Sequence, residues 1–218
     1  MKTIRVKGIG KASARPDYVV LTMKLASRNM EYQKAMDRAS DSIGQLTDSL
    51  VGAGLAKSDV KTTGFRVDTE YESVRRKDGS YEDVFRGYVV VHDLKAAFDL
   101  DSARLGRVLS AVSDCTAHPR FSIAFTVKDA AAINEEMLRS AAENARRKAE
   151  ILCEASGKRL GELLSIDYSW DELDIYSNTR YDVADECLTM SVPTGRSIEI
   201  EPEDIDVSDT AAFVWEIV

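Results

Sequence analysis

The stretch from Asp129 to Gly157, DAAAINEEMLRSAAENARRKAEILCEASG, constrains the fold more than any other. It opens on an aspartate suited to cap a helix, contains no proline, and ends on a glycine, so it reads as one long helix. Leu138, Ala141, Ala145, Ala149 and Leu152 line one face. Small side chains at that spacing let another backbone come close, which is a packing feature rather than a cofactor site. Glu143 and Arg147 form an i,i+4 pair on the outer face, worth about 0.3 kcal/mol. A helix with one apolar face needs a second layer to cover it.

Alternating strands supply that layer. Ile4–Ala12 and Tyr18–Ser27 read as a hairpin around Pro16-Asp17, with Gly8 and Gly10 allowing close backbone approach or a bulge. The GxGK of VKGIGKAS superficially resembles a phosphate-binding loop. That loop requires GxxxxGK[ST], and here Arg5 stands at the first glycine and Ala12 at the metal-binding hydroxyl. Met30–Val51 is an amphipathic helix, with Tyr32, Met36, Ala39, Ile43, Leu46 and Leu50 at alternating spacings of four and three. Asn29 is placed to cap it, and Gly52 and Gly54 to stop it.

Val60–Val74 and Val84–Leu94 form a second hairpin with Asp78-Gly79 in its loop. Phe65, Val67, Thr69 and Tyr71 are expected on its buried face, opposite Arg66, Asp68, Glu70 and Glu72. Arg75-Arg76-Lys77 reads as a solvated hairpin tip. A helix over Ser102–Ser113 carries Leu105, Val108, Leu109 and Val112, and Phe121–Val127 alternates as a strand. After the long helix come a strand from about Leu163 to Trp170, an acidic excursion, and closing strands through Ile217. The class is α+β: a largely antiparallel sheet of long hairpins on two shorter helices and one long Ala-rich helix, in the order β-β-α-β-β-α-β-α-β-β. One domain is expected over residues 1–218, with the excursion at about 167–197.

Charge excludes some functions. The net charge of −8 argues against nucleic-acid binding, which needs a basic surface. Between Asp167 and Asp209 thirteen acidic residues meet two basic ones, Arg180 and Arg196, leaving 27 basic and 24 acidic residues elsewhere. The three cysteines, Cys115, Cys153 and Cys187, are odd in number and lack a CxxC, so no zinc site or dithiol motif is indicated. No apolar run reaches the length of a membrane span. No leader is visible, so the chain as written is expected in the cytosol. A chain whose leader had been replaced by a methionine would read the same and would be periplasmic or secreted.

Candidate chemistry is sparse. Neither His92, in a valine-rich strand, nor His118, before Pro119, accompanies a nucleophile elbow. Cys115 and His118 lie three apart at a helix C-terminus, whose negative end disfavours a thiolate. In the segment DYSWDELDIY, Asp167–Tyr176, Trp170, Leu173 and the missing glycine break the pattern of a calcium loop. Its mixture of acids and aromatics suits a protein contact, with Trp170, Asp171, Glu172, Asp174 and Tyr176 as the candidate residues. No catalytic, cofactor or metal residue is assigned.

IRVKGIGKASARPDYVVL resembles the opening of SIMPL-domain proteins, with a VxGxG strand, a PD turn and a second strand. TTGFRVDTEY and RGYVVVHDL are similar to the next two strands, and AFTVKDAAAINEEMLRSAAENARRKAEILCEASGKRLGELLSI to the family's long helix and its Gly-x-x-Leu-Gly step at Gly157–Gly161. IEIEPEDIDVSDTAAFVWEI resembles the closing strands, though Pro202-Glu203 stands where relatives carry Pro-Gly. The resemblance spans Ile4 to Ile217 and implies a mixed α+β fold and, in at least one relative, a large ring-like oligomer. Family names mention oxidative-stress defence, a periplasmic immunogen and a kinase-interacting signalling protein, and share no chemistry or catalytic residue. A non-enzymatic, self-assembling scaffold is therefore the first expectation. A protein- or ligand-binding module acting through residues 167–186 is the alternative, and an enzyme the third.

Overall fold

The computed structural model describes residues 2–168, 175–183 and 200–218. Its elements are β1 (Thr3–Ala14), β2 (Tyr18–Asn29), α1 (Tyr32–Gly52), β3 (Val60–Arg75), β4 (Tyr81–Asp99), α2 (Ser102–Ser113), β5 (Arg120–Thr126), α3 (Ala130–Ala155), β6 (Leu160–Asp167), β7 (Tyr176–Val183) and β8 (Ile205–Ile217). The α+β class and element order follow the sequence reading, with β7 an additional strand inside the acidic excursion. The chain divides into two compact units, Met1–Asp17 with Thr126–Asn178 and Pro202–Val218, and Tyr18–Phe125 with Thr179–Glu201.

In the first unit β8 lies between β1 and β6. β1 pairs with β8 over its whole length, from Thr3 opposite Glu216 to Ala14 opposite Ile205. This corrects the expected β1–β2 hairpin. Pro16-Asp17 redirects the chain instead of folding it back: the Asp17 N–H donates to the Thr126 carbonyl at 3.1 Å, and its carboxylate accepts from Lys128 N–H at 2.7 Å. Helix α3 covers the sheet with Ile133, Met137, Ala141, Ala145, Ala149 and Cys153, a stripe of strict four-residue spacing. Leu138 and Leu152, expected on that face, are exposed instead, and the exposed ion pairs are Glu135–Arg139 and Arg146–Glu150 rather than Glu143–Arg147.

The alanine stripe and the strand glycines fit one another. A Cβ on Gly8 would stand 2.1 Å from the Ala141 carbonyl oxygen, and one on Gly10 2.1 Å from that of Met137. The helix backbone therefore rests directly on the strand backbone. The contact also covers an edge: the N–H groups of Ile9 and Lys11 donate to Asn144 Oδ1 (3.0 Å) and Ser140 Oγ (3.2 Å), and Lys148 Nζ donates to the Lys7 carbonyl (3.2 Å). Four helical residues advance about 6.0 Å and two strand residues about 6.6 Å, so the two repeats stay in step over three contacts.

Both helix ends of α3 are satisfied locally. Asp129 accepts from Ala132 N–H at 3.0 Å, as its capping role requires. At the far end Lys158 N–H reaches the Cys153 carbonyl and Gly157 N–H the Glu154 carbonyl, with Gly157 at φ +67°, a Schellman closure.

In the second unit the strand order is β3-β4-β2-β5-β7. Val19, Leu21, Met23 and Leu25 of β2, Leu94, Ala96 and Phe98 of β4, and Phe121, Ile123 and Phe125 of β5 share one face. Leu46 and Leu50 of α1 and Leu105, Val108, Leu109 and Val112 of α2 pack on it. Asp101 caps α2 by accepting from Arg104 N–H. Asn29 does not cap α1 directly; Glu31 is the N-cap residue, and Asn29 Oδ1 accepts its N–H at 3.0 Å.

Replacing Gly8 or Gly10 with alanine is expected to destabilise the protein by about 3 kcal/mol, because backbone rather than a flexible side chain must yield. Gly44 of α1 has open space where its Cβ would be, so Gly44→Ala should stabilise by about 0.7 kcal/mol. Urea unfolding of the three variants checks the contrast.

Candidate functional site

The β3–β4 hairpin exposes four large apolar side chains, Phe65, Tyr71, Val74 and Tyr81. Hardly any of β3 is buried, although Val67 packs with Met36 and Tyr88 around the cluster of Ala35, Ala39 and Val90. Phe65 and Tyr71, expected in the core, are 50 % and 57 % exposed. The alternation places them on the helix-bearing face as expected, but Tyr71 lies past Tyr88, where α1 begins at Tyr32, and Phe65, opposite His92, stands on the terminal strand of its sheet. Tyr32 meets Tyr88 edge-on at 5.5 Å, Tyr88 meets Phe85 at 5.3 Å, and Phe85 meets Tyr71 at 5.6 Å. The aromatic run thus starts at the helix and continues along the arm. Beyond it stand Val74 and Tyr81, the latter 69 % exposed.

The arm is regular and internally paired. Arg28–Glu70, Arg66–Asp68, Arg86–Glu72 and Arg76–Glu82 are ion pairs, all exposed and each worth little alone. Arg86 is the extra residue at a bulge, between Glu70 opposite Gly87 and Tyr71 opposite Phe85. Gly87, at φ +129°, lets the Asn29 carbonyl pass where a Cβ would come within 2.6 Å. At the tip the Arg76 N–H bonds the Ser80 carbonyl and Gly79 takes φ +88°, so Arg75-Arg76-Lys77 is a solvated turn as the sequence indicates.

At the root of the arm, His92 Nε2 lies 2.8 Å from Thr62 Oγ1, and its ring meets Phe65 edge-on at 5.2 Å. Burial pushes the His92 pKa below its ordinary 6.5, against a smaller upward pull from Asp93.

The remaining candidates do not converge. Cys115 is buried in the core of the second unit, whereas the His118 side chain is exposed; only its backbone N–H returns to the Cys115 carbonyl, at 3.0 Å, with φ +46°. Cys153 is buried beneath α3. Trp170, Asp171, Glu172 and Asp174, and Cys187, lie outside the described residues. Tyr176 opens β7 and is 38 % exposed. In the first unit Asn134 Oδ1 and Asp209 Oδ2 are buried acceptors without a donor among the described residues. Among the described residues no three His, Cys, Asp or Glu side chains group to hold a metal, and no helix is long and apolar enough to cross a membrane. The aromatic arm carried one legible signal, the alternation of Phe65 and Tyr71, but its exposure depends on where α1 begins.

The class these features define is an α+β protein with two antiparallel sheets, one sealed along an edge by a helix and the other extended into an exposed arm. The chain belongs to the SIMPL family, described as a protein of unknown function (DUF541), which matches residues 4–215. It is 24 % identical over 163 residues to the 26 kDa periplasmic immunogenic protein of Brucella melitensis biotype 1, and equally to that of Brucella abortus strain S19. Each match covers 75 % of this chain and 65 % of the relative's length.

His92 gives the arm's root a pH signature. Because its folded pKa is depressed, the unfolded chain takes up the proton first as pH falls. Stability should therefore decline as pH drops through 6.5 and level off below the folded pKa. Urea midpoints across pH should show this component in the wild type and lose it in His92→Gln; an unchanged profile in the variant would assign the loss to other groups.

Proposed function

We propose that this chain is a non-enzymatic, self-assembling SIMPL protein that uses the β3–β4 arm as a contact surface between copies. The observation that carries this reading is the run of Tyr88, Phe85 and Tyr71 continuing past the start of α1, with Tyr81 beyond it. Exposed aromatic side chains on a sheet bordered by an open edge are costly to leave in water and supply a site for association. β3 is the terminal strand of its sheet, and no strand pairs with its outer side among the described residues. The continuous family match, passing through both compact units, supports treating residues 1–218 as one SIMPL domain.

The periplasmic name of the Brucella relatives supports an extracytoplasmic setting, and cell fractionation distinguishes it from the cytosol. A link to stress response or the cell envelope rests on family resemblance. The second reading is a module that captures a protein or ligand through Trp170, Asp171, Glu172, Asp174 and Tyr176. It is favoured by the excess of acidic residues between Asp167 and Asp209.

Light scattering over a wide dilution range tests the first reading. A defined multimer is expected, and Tyr71→Lys with Tyr81→Lys should shift it toward 24.1 kDa while the chain stays folded by circular dichroism, since both side chains are largely exposed. A wild-type monomer at every concentration would refute self-assembly. Neutralising Asp171, Glu172 and Asp174 should leave the multimer intact, and loss of partner capture in that variant would favour the second reading.

A further inference from the structure

The helices of the second unit lie on one face of its sheet, and strand alternation places a different set of side chains on the other. Lys24 falls between the core residues Met23 and Leu25, and Lys95 between Leu94 and Ala96, so both project from the helix-free face. The register sets Lys95 between Thr22 and Lys61, and in the next row sets Asp93 between Lys24 and Gly64. Lys61 and Lys95 are therefore directly opposite one another, with Cβ atoms about 5 Å apart, a like-charge arrangement that destabilises a strand pair. Both are exposed.

Among the described residues nothing offsets this repulsion fully. Arg66 and Arg28, on the same face, are already paired with Asp68 and Glu70. Among the described residues Lys24, Lys61 and Lys95 make no ion pair, and Asp93 is the one carboxylate in their rows. Its Oδ2 lies over Gly64, 2.9 Å from where a Cβ would stand. In these two rows three lysines thus surround a single acid.

The complementary charge is carried by the same chain. Glu203, Asp204 and Asp206 are exposed at the start of β8. Their backbone is held in place, because the Ile205 side chain between them is buried and Ser177 Oγ donates to the Glu203 carbonyl at 2.7 Å. A fixed acidic turn can meet a fixed basic face with little ordering cost. We infer that the Lys24–Lys61–Lys95 face of one copy receives the Glu203–Asp206 turn of a second copy. The contact is head-to-tail, joining two different surfaces, so it builds a ring if the rotation closes. This inference rests on the self-assembly reading and names the charged contact within it.

The test separates folding from association. Lys61→Gln with Lys95→Gln removes the like-charge pair, so the variant should unfold at a higher temperature than wild type yet associate about tenfold more weakly at low salt. Lys61→Glu with Lys95→Glu should also fail to assemble alone. It should be rescued by mixing with Asp204→Lys, Asp206→Lys protein, read by light scattering and by crosslinking of differently tagged copies. Rescue by the swapped pair supports the contact. A charge-reversed variant that assembles like wild type overturns it while leaving self-assembly standing. Loss of assembly without rescue overturns the acidic turn as the occupant. A wild type that is monomeric throughout removes both readings together.

Discussion

Everything in the first unit depends on one backbone-to-backbone contact, where α3 lies on β1 at Gly8 and Gly10. With 2.1 Å between each missing Cβ and a helix carbonyl, no side chain fits at either position. The alanines at 141, 145 and 149 are the matching requirement on the helix. Close approach then brings the polar atoms of Ser140, Asn144 and Lys148 within reach of the strand's outer edge. These bonds satisfy backbone groups that an edge strand otherwise presents to solvent or to another chain. One contact accounts for the glycines, the alanines and the closed edge.

The two units manage their edges differently. In the first, a helix satisfies β1 along Lys7, Ile9 and Lys11. In the second, β3 ends the sheet, and the β3–β4 arm extends its aromatic face beyond the helix that would cover it. Its ion pairs neutralise most of the arm's charge without burying its aromatic rings. The protein therefore seals one edge and displays another.

Legibility in the sequence followed the range of the interaction. Local signals read well: α2 spans Ser102–Ser113 as its apolar stripe indicates, Asp129 caps α3, and Gly157 closes it. Pairing read less well. Pro16-Asp17 marks a change of direction, but it does not say which strand β1 will join, and the partner proves to be β8 at the other end of the chain. Phe65 and Tyr71 alternate like core residues, but β3 ends its sheet and Tyr71 lies beyond the start of α1, so both stay exposed. Ser140, Asn144 and Lys148 carried no signal of their own, because a polar stripe does not disclose the strand edge that it serves. Most of the candidate acidic contact lies outside the described residues, so Tyr176 alone was placed.

Native-state amide hydrogen exchange, read residue by residue by NMR, tests the account's central claim most directly. If α3 seals the edge of β1, the amides of Ile9 and Lys11 should be protected nearly as well as the amides that pair β1 with β8, and Asn144→Ala should release Ile9 selectively. Rapid exchange at Ile9 and Lys11 in the wild type, at rates typical of an open strand edge, would contradict it.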